Sequence, residues 1–150
     1  MKKILALILT VVMLSLLMVS CSAIDKVTEI FSGNTVDKEG LWESATYRRD
    51  MEFGSGAKTI EVEVKVSEKS VTFTIHTDAA TLGDALLEHE LIAGENGAYG
   101  LYVKTVNGIL ADYDIDGSYW SFYKGGEMMM TGVDGESISG GEHYEIIYAK

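Results

Sequence analysis

The sequence predicts an α+β domain in which one helix packs across a mixed sheet. Three observations predict it. Residues 59–67 and 71–76 alternate apolar and polar side chains with a period of two, as half-buried strands do. At Thr81 the period lengthens to that of a helix, and beyond Gly94 it returns to short strands. One helix after a hairpin, followed by several short strands, is the order of an α+β fold.

The ordered domain is expected over residues 39–150, with aromatic side chains returning at Leu41-Trp42. Residues 45–53 read as a first strand that turns at Gly54-Ser55-Gly56 into the next. In residues 59–67, Ile60, Val62, Val64 and Val66 face one way while Glu61, Glu63 and Lys65 face the other. After a turn at Glu68-Lys69, Val71, Phe73 and Ile75 alternate with Thr72, Thr74 and His76, completing a hairpin. Thr81 is suited to cap a helix, with Asp84 three residues on as its reciprocal partner. Leu82, Ala85 and Leu86 form the buried stripe, His89 lies a turn further along, and Gly94 is the expected stop. Strands follow over residues 99–107, 109–114, 119–124, 127–130 and 143–148, with Gly125-Gly126 as a two-residue hairpin turn. The whole order is a β-grasp pattern.

The start of the chain has a different character. Lys2 and Lys3 precede an apolar run over residues 4–18, and Met18-Val19-Ser20-Cys21 ends it with a small residue before the only cysteine. This resembles a bacterial lipobox, with Met18 where leucine is more usual. The resemblance implies a lipoprotein signal peptide over residues 1–20, diacylglyceryl transfer to the Cys21 thiol and cleavage after Ser20. The mature protein is then expected on the extracytoplasmic face of the cell membrane, held by lipid. The apolar run is short for a spanning helix, which needs about 20 residues. Residues 21–38 read as a tether, with a short helix over residues 24–31 whose Ile24, Val27 and Phe31 share a face.

Charge narrows the partners. The chain carries a formal charge of −11, and residues 1–20 hold two lysines and no acid, so the remainder sets 10 Lys+Arg against 23 Asp+Glu. Such a surface repels nucleic-acid phosphates and anionic lipid head groups, which argues against nucleic acid as a partner. A cation or a largely neutral small molecule fits it better. With Cys21 consumed by lipid, neither an intrachain disulfide nor a thiolate metal site is expected. Sixteen glycines and no proline point to many tight turns in ordered structure.

The helix and later strands carry a recognisable set of residues. Thr81-Leu82-Gly83-Asp84-Ala85-Leu86 is followed by Tyr99-Gly100-Leu101-Tyr102-Val103 and Val106-Asn107-Gly108. Then come Tyr119-Trp120-Ser121-Phe122-Tyr123, Thr131-Gly132-Val133-Asp134 and Gly141-Glu142-His143-Tyr144-Glu145. In this order they resemble the C-terminal β-grasp domain of transcobalamin and intrinsic factor. They resemble more closely the bacterial lipoproteins of unknown function that carry a transcobalamin-like domain. The likeness spans residues 42–150 and implies a module that binds a soluble ligand, with a corrinoid such as cobalamin the leading candidate. The vitamin carriers hold cobalamin between this domain and a large helical one, for which this chain has no room. A corrinoid here would meet a half-open site unless a partner supplied the second wall.

Two constellations are candidates for a ligand. Tyr119, Trp120 and Phe122, joined by Tyr99 and Tyr102 on a nearby strand, offer aromatic faces on which a flat conjugated ring could stack. Asp112-Tyr113-Asp114-Ile115-Asp116-Gly117 matches the opening of a calcium loop, in which alternate carboxylates aim at one point. Tyr123 stands where the closing acid is expected, and the flanks read as strands, so Asp134 or Glu136 would have to complete the site. A zinc or copper site would need His76, His89 and His143 to meet in the fold, since they lie on different elements. Met128-Met129-Met130 reads as core and edge packing, Met129 pointing opposite to its neighbours.

Catalysis finds little support. No serine sits in a nucleophile elbow, no thiol is free, and Gly54-Ser55-Gly56-Ala57-Lys58 lacks the following helix of a phosphate-binding loop. The expectation is a surface lipoprotein that is not an enzyme and captures a soluble ligand, delivering it to a transporter. The alternatives are binding of calcium or zinc, or an adhesion module that offers a strand edge to another surface protein.

Overall fold

The computed structural model describes residues 38–150. The expected signal peptide, Cys21, the helix over residues 24–31 and the tether except for Lys38 lie outside the described residues. In chain order the elements are α1 (Lys38–Glu43), β1 (Met51–Gly54), β2 (Lys58–Val66), β3 (Lys69–Thr77), α2 (Leu82–Leu87), β4 (Ile92–Gly97), β5 (Gly100–Val106), β6 (Ile109–Leu110), α3 (Tyr113–Asp116), β7 (Tyr119–Lys124), β8 (Glu127–Met128) and β9 (His143–Ala149). The fold is α+β, mostly sheet, with three short helices among the described residues where one was expected.

A six-stranded mixed sheet has the order β1-β3-β2-β9-β7-β8. The hairpin of β2 and β3 is antiparallel, with Val62 opposite Phe73 and Val64 opposite Val71. Ile60, Val62, Val64, Val66, Val71, Phe73 and Ile75 are all buried, as their alternation predicts. On the far side of β2, β9 runs parallel and sets Tyr144 beside Val62 and Ile146 beside Val64. Antiparallel β7 then places Trp120 opposite Tyr148 and Phe122 opposite Ile146. Gly125 and Gly126 take φ of 58° and 85°, the left-handed pair that a tight hairpin between β7 and β8 demands.

A smaller antiparallel sheet, β4-β5-β6, shares one hydrophobic core with the large one. In chain order α2 connects β3 of the large sheet to β4 of the small one. The Thr81 hydroxyl accepts from the Asp84 N–H at 3.2 Å, one half of the expected reciprocal cap, and Leu82, Ala85 and Leu86 are buried as expected. The helix stops earlier than Gly94, at Leu87, with Glu90 taking a left-handed φ of 54°. Gly94 instead sits in β4 beside a bulge, where a Cβ would fall 2.0 Å from the Tyr102 carbonyl oxygen. Close approach of two strands, and not helix termination, is what requires the glycine there.

Three further expectations are corrected. The first strand is only Met51–Gly54 and pairs in parallel with β3, so residues 54–57 cross the end of β3 instead of forming a hairpin turn. Residues 45–50 form a strap because Asn107 takes their backbone: its side chain accepts from the Tyr47 N–H at 2.9 Å and donates to the Tyr47 carbonyl at 2.8 Å. Residues 111–114 do not extend a strand, because Asp112 accepts from the Asp114 N–H at 3.0 Å and caps α3. Finally, β8 ends at Met128, short of residue 130.

Candidate functional site

Several large apolar side chains remain exposed around the small sheet and the turn that follows it. Tyr99 is fully exposed at the turn between β4 and β5, and Tyr102 points outward on β5. Leu110 on β6, Tyr113 and Ile115 on α3, and Tyr119 at the start of β7 are also exposed. The Tyr113 and Tyr119 rings meet edge to face, their centroids 6.5 Å apart.

The structure separates the aromatic residues singled out from sequence. Tyr99 and Tyr119 are open to solvent. Trp120 is buried to 6% exposure, its ring edge-on to Tyr148 at 5.4 Å and its indole N–H donating to the Lys104 carbonyl at 3.2 Å. Phe122 packs half-buried against the same core. These two side chains therefore pack on the core side of the sheet, Trp120 buried and Phe122 partly so. Tyr113, Ile115 and Leu110 were not singled out. The acidic D-x-D-x-D pattern drew the reading toward a cation loop, whereas its apolar positions are what the helical turn pushes outward.

The aspartates of that turn are committed to holding it. Asp112 pairs with the Lys104 ammonium at 3.1 Å, which also binds Glu95 at 3.0 Å. The same lysine, followed by the Asp114 N–H, keeps the Asp112 carboxyl below the usual range. Asp116 accepts from the Ser118 N–H at 3.0 Å, from the Ser118 hydroxyl, and from Lys150 at 3.1 Å. The hydroxyl, and after it Lys150, hold the Asp116 carboxyl down at about 2. Asp114 offers its backbone N–H to the cap. Neither proposed completing acid is close to this duty: Asp134 accepts from the Leu101 N–H at 2.7 Å, and Glu136 takes the Lys124 ammonium at 2.6 Å.

The histidines stay apart. His76 lies between the Thr59 hydroxyl at 2.9 Å and the Glu52 carboxylate at 2.8 Å. His143 stands 3.5 Å from Glu61 on the open face of the large sheet. His89 stacks on Phe53 with centroids 5.2 Å apart, and its Nε2 is buried without a hydrogen bond. Among the described residues, no three His, Cys, Asp or Glu side chains are gathered to hold a metal ion. Met128 and Met130 are exposed while Met129 packs against the core, the alternation expected of a strand end.

No protein-family model matches the chain, and no curated protein matches it either. Solved structures do. One is the crystal structure of a "putative metal binding protein" from Ruminococcus gnavus, 35% identical, covering 62% of this chain and 97% of that one with a TM-score of 0.59. Another is haptocorrin in complex with Cbi, 19% identical, covering 65% of this chain with a TM-score of 0.54. The chain spans only 26% of the haptocorrin chain, and at that identity the likeness is one of fold. The expected likeness to the vitamin carriers is thus met at the level of fold.

Proposed function

We propose that this chain, which belongs to the family of the Ruminococcus gnavus protein, is a lipid-anchored, extracytoplasmic binding module for a soluble, flat ligand, with a corrinoid foremost. Exposed Tyr113 and Tyr119, in edge-to-face contact, carry the reading. Neither ring is needed to fill the core, and each presents a face on which a conjugated ring can stack for about 0.5–1.5 kcal/mol beyond area burial. The haptocorrin structure holds Cbi, a corrinoid, which supports the ligand class. The β-grasp arrangement inferred from sequence is compatible with it. Contact from one side only, with Tyr99 and Tyr102 extending the surface, implies an affinity nearer micromolar than picomolar. The Cys21 lipid would keep captured ligand near a membrane transporter. The module acts by binding and not as an enzyme.

Metal is the second reading, and it rests on the printed description of the Ruminococcus gnavus protein. The residues of this chain do not fit it well. Asp112 and Asp116 already face lysines, and the three histidines lie on separate elements.

Equilibrium dialysis against cobalamin and cobinamide tests the first reading. Saturable binding that weakens at least ten-fold in a Tyr113→Ser/Tyr119→Ser double variant supports it. Equal saturable retention by both proteins moves the site away from these tyrosines, and retention by neither removes the reading. Zinc and calcium in parallel chambers decide the second reading by the same measure.

A further inference from the structure

Arg48 and Arg49 are the only arginines in the chain, and they are adjacent. Both are exposed, and together with Ala45, Thr46, Tyr47 and Met51 they line a groove of about 560 Å³. In a chain of 23 acidic residues, neither guanidinium forms an ion pair with a carboxylate among the described residues. Lys65, Lys104, Lys124 and Lys150 each have a carboxylate partner, whereas Lys58, which donates to the Ala79 carbonyl, and Lys69 each stand without an adjacent cation; among the described residues only the arginines are adjacent. Arg48 donates only to the Glu43 carbonyl oxygen. The nearest acid in sequence, Asp50, spends one carboxylate oxygen on the Thr72 N–H at 2.8 Å.

The strap bearing the two arginines is fixed at both ends. Asn107, 1% exposed, clasps the Tyr47 backbone through two hydrogen bonds, and the Thr46 N–H donates to the Asn107 carbonyl at 2.8 Å. The Tyr47 ring packs edge-on against Phe53 and Phe73 at 5.3 and 5.8 Å. Asp50 closes the other end on β3. Two neighbouring cations repel each other, and nothing in the local fold neutralises them. Two adjacent arginines on a fixed backbone, lining one groove with a mixed polar and apolar wall, suit a tetrahedral oxyanion, which accepts paired N–H donors from arginine.

We propose that the Arg48–Arg49 groove binds the phosphate group of a phosphate-bearing ligand, locally reversing the charge of an otherwise anionic protein. The site is independent of the exposed tyrosines. The phosphate can belong to a free solute or to a lipid head group, and the test separates them. The full chain in detergent solution is titrated calorimetrically with inorganic phosphate and with pyrophosphate at constant ionic strength. Its co-sedimentation with phosphatidylglycerol and phosphatidylcholine vesicles is measured beside that. Native protein, Arg49→Ala, Arg48→Ala/Arg49→Ala and the surface control Lys69→Ala are compared, with circular dichroism confirming the fold.

Saturable phosphate or pyrophosphate binding, weakened about ten-fold in Arg49→Ala and abolished in the double variant, assigns a soluble ligand. Vesicle binding that depends on the two arginines, without binding of the free anions, assigns a lipid phosphate. Lys69→Ala is expected to behave as native in either case. Equal behaviour of the native and doubly substituted proteins in every arm overturns the site.

Discussion

The indole N–H of Trp120 donates to the carbonyl of Lys104 across 3.2 Å, tying the large sheet to the small one. That bond explains why the tryptophan is unavailable as a stacking platform. Trp120→Phe is expected to cost about 1–3 kcal/mol, from the lost indole hydrogen bond and lost packing, the Lys104 carbonyl keeping the Ala111 N–H at 2.7 Å. Urea denaturation would measure it. Corrinoid binding per folded molecule should be unchanged, and its loss in a folded variant would return Trp120 to the ligand site.

Asn107 is expected to be the main anchor of the strap over residues 45–50. It takes a left-handed φ of 50° and makes two side-chain hydrogen bonds to Tyr47. Asn107→Gly keeps the backbone conformation but removes both bonds, so a loss of about 1–3 kcal/mol is expected. Amide exchange at Tyr47 should accelerate with it. Unchanged exchange would mean that the Tyr47 ring alone fixes the strap.

Tyr144 links stability to alkaline pH. Burial pushes its phenol up to about 12, against an ordinary 10, with nearby Lys124 opposing. The folded state therefore holds the proton more tightly than the unfolded state. The contribution is fully present below pH 10 and is lost as pH rises toward 12. Tyr144→Phe should show a smaller fall in melting temperature over that window than native protein. At pH 7 it is expected to cost roughly 1 kcal/mol through the lost bond to Glu136.

Calcium is expected to leave the melting temperature unchanged up to 1 mM, an order-of-magnitude ceiling for a weak extracellular site. To enter, the ion would have to displace Lys104 from Asp112 and Lys150 from Asp116. A calcium-dependent rise that disappears in Asp114→Ala would show that the turn opens to receive it. Lowering pH should weaken the turn only as it falls from the ordinary aspartate range through about 2, where Asp116 takes up its proton.

His89 gives a further check on packing. Its Nε2 is buried without a partner while its ring stacks on Phe53. His89→Phe keeps the stack and removes an unpaired polar atom, so a gain of about 1 kcal/mol is expected. Destabilisation in thermal melts would imply that Nε2 is hydrogen-bonded in solution.

Where one face of an element is apolar and the other charged, sequence alone was sufficient. Val62 and Val64 against Glu61 and Glu63 admit only one burial, and β2 has it. The Thr81–Asp84 cap and the Gly125-Gly126 turn are equally local, because each satisfies a backbone requirement within a few residues. The short edge β1 and the weakly patterned β4 were less legible. Parallel pairing of β1 with β3 depends on Asn107, more than fifty residues away along the chain, claiming the preceding strap. Residues 93–97 (AGENG) carry no alternation, since all five are exposed.

For function, sequence alone determined the classes of side chain available: tyrosines for stacking, aspartates in a turn, and one pair of arginines. Tertiary structure decided which of them are free. Strand β7 is aromatic on both faces, so its period of two could not say whether Tyr119 or Trp120 turns inward. Pairing with β9 settles it, because Trp120 then lies beside Tyr148 over the core and Tyr119 beside Ala149 on the open face. Lysines from β5 and the C-terminus reach Asp112 and Asp116 only in the folded chain, whereas among the described residues no carboxylate pairs with Arg48 or Arg49. Local periodicity sets two faces of an element. Which face meets solvent, and which charge goes unmatched, follows from contacts between segments far apart in sequence.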